Sequence, residues 1–162
     1  MFRPMRRRGQ EMPPEECEEA LQSGSSGVLA LLGDEGYPYA VPLSYAYHEG
    51  KLYFHCAKSG HKLDAVKRSP RASFCVIVRD DIAPKEYTTH YKSVIVFGTV
   101  SIIEEEGKKK KAIEALGRKY APDDSALNMS EVINKAWDNL CMLEMTIEHK
   151  TGKVGKALAQ EN

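Results

Sequence analysis

The sequence has no excess of charge of either sign, since 23 Lys and Arg stand against 23 Asp and Glu. A zero balance argues against a dedicated nucleic-acid or anionic-membrane surface, which needs a surplus of positive field. It also does little to hold copies of the chain apart. Long apolar runs are missing too, so nothing is suited to span a bilayer. The basic start, Arg6-Arg7-Arg8, leads into Pro13-Pro14-Glu15-Glu16. A secretory or twin-arginine signal would need an apolar segment there. Cysteine is scarce: Cys17, Cys56, Cys75 and Cys141 form no C-x-x-C, and no Cys/His cluster has zinc-ligand spacing. Three of them sit in apolar runs, where a free thiol behaves as a small hydrophobe. These absences lead us to expect a soluble, cytoplasmic protein with reduced cysteines, no metal, no nucleic-acid partner and no membrane contact.

What is present fits one domain over residues 1–162, with a basic arm at 1–12 and a tail at 153–162. Pro14 and the acids after it open a helix that Gly24 ends. Val28-Leu29-Ala30-Leu31-Leu32 reads as a buried strand and Gly33-Asp34-Glu35-Gly36 as a turn. Val41, Leu43, Tyr45 and Tyr47 then alternate with Pro42, Ser44, Ala46 and His48, the period of one two-faced strand. With the strand over 52–56, these three are expected to form an antiparallel meander. A helix follows over 61–68, with Leu63 and Val66 inward and Pro70 as its stop. The strand at 72–78 gives way to a charged loop at 79–90. A long strand over 94–103 carries Gly98 as a bulge or close backbone approach. Helices at 105–120, with a solvated face at Lys108, Lys109, Lys110 and Lys111, and at 130–137 precede a last strand at 141–149. Strands outnumber helices, and the short links favour a mainly β (α+β) antiparallel barrel with peripheral helices.

The stretch richest in chemistry is Phe54-His55-Cys56-Ala57-Lys58-Ser59-Gly60-His61-Lys62. A strand ends, a Ser-Gly turn follows, and two basic side chains open a helix. Unpaired N–H groups, the helix dipole and a nearby Lys make an anion site suited to phosphate, and Gly60 lets backbone approach the ligand. The plainer alternative is an ordinary turn with Ser59 as N-cap. Pro42 cannot donate to a ladder, so its strand edge is free at one point. A free edge beside an anion loop suits a planar heterocycle; an edge facing solvent suits it equally.

Three runs in order, from Gly36 to Ser44, from Tyr53 to Asp64 and from Ser93 to Gly98, resemble the pyridoxamine 5'-phosphate oxidase-like flavin proteins. Within them, the opening Met5-Arg6-Arg7-Arg8 and the closing Glu148-His149-Lys150-Thr151-Gly152-Lys153 are most similar to the nitroimidazole-resistance (Nim-type) proteins. The resemblance covers nearly the whole chain. It implies an FMN-binding split β-barrel working as a homodimer, with FAD as the other flavin to be considered. It places Gly60, His61 and Lys62 at the phosphate, and the backbone of Pro42, Leu43, Ser44 and Tyr45 along the flavin ring. His55, Cys56 and Ala57 would lie beside the flavin, Ser93 would reach it from the long strand, and Trp137 would roof it from the partner subunit or else pack in the core. His61 stands where vitamin-forming oxidases of the wider family carry Arg, and a neutral imidazole is a weaker phosphate partner than a guanidinium. The C-terminal Arg-Leu-His-Asp-Arg type of segment with which those oxidases hold pyridoxal phosphate is not found, which argues against vitamin synthesis.

The function so implied is a flavin-dependent oxidoreductase. It would take electrons from NAD(P)H or reduced ferredoxin and pass them to a small acceptor such as a 5-nitroimidazole. His55 is the candidate proton donor or substrate-orienting residue; as a strand-end His it could equally just hydrogen-bond flavin or backbone. Two rivals are a flavin-binding module without turnover and a haem-binding split-barrel protein using His55 or His90. His90, between Tyr87 and Tyr91, reads either as part of a lid or as loop surface.

Overall fold

The computed structural model describes residues 1–159. Seven strands, β1 Ser26–Leu32, β2 Pro38–Ser44, β3 Ala46–His48, β4 Lys51–Ala57, β5 Arg71–Ala83, β6 Thr88–Ile102 and β7 Leu140–Val154, form one antiparallel sheet in the order β2-β1-β5-β6-β7-β4-β3. β2 ends at Ser44 and β3 begins at Ala46, yet the two strands occupy opposite edges of the sheet. One residue can bridge the two edges only if the sheet curls on itself, and this is the expected split β-barrel.

The expected three-strand meander is therefore corrected. Residues 41–48 are two strands, broken at Tyr45, because that side chain turns inward. Tyr45 is 0% exposed, its hydroxyl donates to the Leu21 carbonyl at 2.7 Å, and its ring meets Phe74 edge-on at 4.9 Å. Its backbone leaves the ladder for Tyr120, whose hydroxyl lies 2.9 Å from both the Tyr45 N–H and the Tyr45 carbonyl. The alternation holds up to Ser44 and then fails, since Ala46 is buried beside Tyr45.

Helices α1 Pro14–Ser23 and α2 His61–Arg68 close the barrel interior, contributing Cys17, Ala20, Leu21, Leu63, Ala65 and Val66 to a core built on Leu29, Phe54, Phe74, Val76, Val94, Val96 and Met145. Leu63 and Val66 face inward as the spacing predicts. A smaller cluster lies on the other side of β4 and β7, where Tyr53, Leu140 and Met142 meet Ala112 and Leu116 of α3 Glu106–Tyr120, with α4 Ala126–Ala136 beyond. Residues from Leu140 to Met145 are consequently buried on both faces of β7, all apolar except Glu144, as a doubly covered strand requires. Gly98 sits at a register shift between β6 and β7, where a Cβ would collide with the Thr146 carbonyl oxygen. The bulge and the close approach are both present.

Two surface expectations change. The charged segment at 79–90 is no loop: β5 and β6 continue through it as a paired ribbon with its turn at Pro84–Glu86. Charge there reflects exposure on both faces rather than a lack of strand. The face read as four solvated lysines is interrupted by Lys109, only 8% exposed, whose ammonium donates to the Trp137 carbonyl at 3.1 Å and stacks 4.0 Å over the Trp137 ring. A long side chain buries its stem this way while its charge finds a carbonyl and a π face.

The chain ends are packed further than composition suggests. In the N-terminal arm Met12 and Gln10 are buried, Gln10 donating to the Val154 carbonyl at 2.9 Å, and Phe2 stacks on His149 at 4.6 Å. The expected tail begins inside β7 with Lys153 and Val154 and continues as helix α5 Lys156–Ala159; residues 160–162 lie outside the described residues.

Candidate functional site

The turn between β4 and α2 is built around Gly60, whose φ of 131° and ψ of 167° belong to backbone space that essentially only glycine enters. A Cβ at Gly60 would meet open space, so conformation and not crowding calls for glycine. Gly60 itself is the N-cap of α2, and no side chain caps the helix. The Ser59 cap is thus corrected. The first amides bonded into the helix are those of Leu63 and Asp64, both to the Gly60 carbonyl. The amides of His61 and Lys62 precede them at the positive end of the helix dipole, where an anion is favoured.

The two basic side chains of the turn behave differently. The His61 ring stacks on Tyr39 of β2, with centroids 4.0 Å apart, and its Nε2 lies 3.2 Å from Asp34 Oδ2. Arg68, two turns further along α2, donates to Asp34 at 2.8 Å. Asp34, His61 and Arg68 therefore lash the helix to the turn between β1 and β2, bringing the edge strand beside the anion loop. Lys62 is half-buried and lies close enough to Cys56 to favour its thiolate, pulling the thiol's pKa downward.

Cys56 is held the other way by its surroundings. Burial and the neighbouring Cys141 thiol push it up to about 11, against the pull of Lys62. Cys56 and Cys141 are directly opposed across β4 and β7, as are His55 and Met142. The strand alternation puts His55 and Cys56 on opposite faces. Cys56 packs with the barrel core, while His55 is exposed on the face of Tyr53 and Met142 that Trp137 also borders. Ala57 ends β4, exposed, at the mouth of the turn.

Along β2, Pro42, Leu43 and Ser44 form the sheet's edge, with Pro42 and Ser44 exposed. The N–H and carbonyl of Tyr45 are engaged by Tyr120, so the free length of this edge stops at Ser44. Pro42 opposes Val28, which opposes Cys75, which opposes Ile95: a row running over four strands on the outer face. Ser93, half-buried, opposes Ile77 and Lys153 on that same face. Among the expected site residues, then, Gly60, His61 and Lys62 meet the β2 edge through Tyr39. Cys56 joins them through Lys62, while His55 and Trp137 share a different side of the sheet. Asp34, Tyr39 and Tyr120 escape a sequence reading because their roles depend on partners 22 to 75 positions away; only Tyr39 left a trace, sharing the alternation of Val41 and Leu43.

Elsewhere, a cavity of about 650 Å³ lies between β3–β4 and α3, lined among others by Tyr47, Tyr53, Lys108, Lys111 and Arg118, and by none of the expected site residues. Behind it, buried Glu144 pairs with Lys51 and Lys108, each at 2.9 Å, which fastens α3 to the sheet. His90 is on the ribbon, 3.1 Å from Glu86. No helix among the described residues is long and apolar enough to cross a membrane.

Residues 13–154 match the family model for pyridoxamine 5'-phosphate oxidase. No curated protein matches the chain. Among solved structures, it is similar to a candidate 5-nitroimidazole antibiotic resistance protein from Bacteroides thetaiotaomicron, with 21% identity, 89% of this chain and 86% of that one covered, and a TM-score of 0.76. An FAD- and haem-binding protein from Mycobacterium smegmatis shares 19% identity over 91% of this chain and 74% of its own, with a TM-score of 0.72. An FAD-binding protein from Mesorhizobium loti shares 24% identity over 91% and 98%, with a TM-score of 0.62. At these identities the likeness is one of fold.

Proposed function

The chain belongs to the pyridoxamine 5'-phosphate oxidase family, and we propose that it binds a flavin, FMN through its phosphate at the Gly60-His61-Lys62 turn, and uses it to reduce a small acceptor. The observation that carries this reading is the turn itself. Two amides at a helix start have no side-chain cap, Gly60 holds a glycine-only conformation with open space before it, and a half-buried lysine stands beside them. That donor set fits a phosphate dianion. Lys62 supplies the charge, and the His61 amide rather than its ring supplies a hydrogen bond, because the ring is held by Tyr39 and Asp34. The solved relatives that bind FAD support a flavin as the ligand class.

A bound flavin supplies the electron transfer, receiving electrons from NAD(P)H or reduced ferredoxin and reducing an acceptor of the 5-nitroimidazole or wider nitroaromatic class. The protein's own part is binding and orientation. The β2 edge from Pro42 to Ser44 offers backbone to a planar ring. Exposed His55 is the candidate to orient an acceptor or to deliver a proton from its imidazole nitrogen. A second copy of the chain completes the site in this reading. Support comes from the outer sheet face, where Val28 and Ile95, each 39% exposed, lie in the row that runs to the Pro42 edge, and Ile77, 61% exposed, lies beside that row. Of the long strand, Ile95 and Phe97 face that way, whereas Val94 and Val96 are core. The buried stretch of β7 from Cys141 to Met145 has no surface to contribute.

Absorbance spectroscopy of the purified protein tests the reading. A flavin spectrum is expected, as isolated or after adding FMN, followed by acceptor-dependent NAD(P)H oxidation; a Soret band instead would mark a haem protein. Protein that stays colourless with excess FMN and FAD would overturn the proposal.

A further inference from the structure

Two of the four cysteines, 85 positions apart in sequence, stand directly opposite each other on neighbouring strands, Cys56 on β4 and Cys141 on β7. Directly opposed residues of an antiparallel pair have Cα atoms about 4.5 to 5.5 Å apart, inside the span a disulfide needs. Their side chains leave the sheet on the same face, and the two thiols interact directly. The other two cysteines differ. Cys75 is opposed by Val28 and Ile95, and Cys17 packs against Met12 and Gly152, so neither faces a thiol among the described residues.

We propose that Cys56 and Cys141 form a thiol–disulfide couple, closing across β4 and β7 into an intramolecular disulfide when a low-molecular-weight disulfide is the oxidant. Cys56 is half-buried and Cys141 is buried, which sets the order of events. The Cys56 thiol gives its proton to solvent and its thiolate attacks one sulfur of the oxidant, forming a mixed disulfide and releasing one small thiol. Cys141 then loses its proton and its sulfur attacks the Cys56 sulfur. The protein disulfide forms and the second small thiol leaves. Two protein thiols are oxidised by two electrons and one small disulfide is reduced to two thiols. Burial holds Cys56 mainly protonated at neutral pH, so the first step speeds up roughly tenfold for each pH unit below about 11. The bond lies one residue before the end of β4, at the root of the turn that carries Gly60. Its formation ties that turn to the centre of the sheet.

The test uses the full-length protein as purified, with any flavin it carries. Reduced protein is incubated with oxidised glutathione at pH 7, 8 and 9, quenched with a maleimide and digested without reduction. Loss of two titratable thiols, a peptide linking Cys56 to Cys141, and a rate rising roughly tenfold per pH unit are expected. A Cys17→Ser/Cys75→Ser variant should close equally well, and it keeps the test intact if Cys141→Ser proves unstable. Cys141→Ser should instead stop at a stable glutathione adduct on Cys56. Four intact thiols after long oxidation at pH 9, a terminal glutathione adduct in the unsubstituted chain, or linkage through Cys75 would each overturn the proposal.

Discussion

Replacing Lys62 with alanine removes the ammonium at the start of α2 that acts on Cys56. Lys62 is half-buried at the second position of α2. If the turn holds a phosphate, the variant forfeits one charge-assisted hydrogen bond, on the order of 1.5–3 kcal/mol, which is roughly a ten- to hundredfold weaker affinity for FMN. Riboflavin has the same ring and no phosphate, so its affinity should hardly move. Folding stability should change by no more than about 0.5 kcal/mol, as for an ordinary surface substitution. A second readout is independent of flavin. Lys62 draws the Cys56 thiol downward, so without it Cys56 stays protonated to higher pH and alkylation at pH 8 should slow. Fluorescence titration with both ligands, urea unfolding and timed alkylation measure these effects. Equal weakening of FMN and riboflavin, or no change in either, would refute the phosphate placement.

Gly60→Ala meets open space yet must adopt a φ of 131°, so it should cost about 1–3 kcal/mol in urea unfolding, where a purely steric argument predicts nothing. Tyr120→Phe takes away the acceptor of the Tyr45 N–H and should destabilise by about 1–3 kcal/mol, read as a lower unfolding midpoint. Burial raises the Glu144 carboxyl, but hydrogen bonds and charge from Lys51 and Lys108 outweigh it and hold the group below its usual value of 4.5. A depressed value means that its stabilisation is complete above pH 4.5 and is lost as pH falls through the folded-state value. Glu144→Gln should therefore flatten the acid limb of a stability-versus-pH curve.

The strand-rich, helix-capped barrel was legible because its signals are local. Pro14 and Gly24 bracket α1, Pro70 stops α2, and Leu63 and Val66 show which face of α2 turns inward. The corner at Tyr45 was not legible. The alternation from Val41 to Tyr47 is consistent with one strand, and only the distant hydroxyl of Tyr120 and carbonyl of Leu21 reveal that Tyr45 leaves it. The ribbon beyond Val78 was hidden for another reason: a strand exposed on both faces carries charges that resemble a loop's. Lys109 sat in a run of four lysines, and nothing in that run distinguishes the one that lies over Trp137. At the candidate site the Gly60 turn was readable from glycine and charge. The bond of His61 to Asp34 and the facing of Cys56 by Cys141 were not, because both depend on strand register.

The place of β7 has a consequence for how the chain assembles. β3 pairs with β4 along residues 51–53 as soon as both are made, but the partner of β4 over its full length, 51–57, is β7, whose residues 140–146 follow much later in the chain. Until then the β3–β4 hairpin is not joined to the rest of the sheet, and the edges of β4 and β6 that β7 will join lie open. Closing such distant segments is slow, and open edges meanwhile invite pairing with other chains. A nascent chain cut short before Leu140 therefore keeps Gly60, His61, Lys62 and the β2 edge beside them, but loses the strand that opposes Cys56 and Ala57 at the root of the turn and joins the two halves of the barrel.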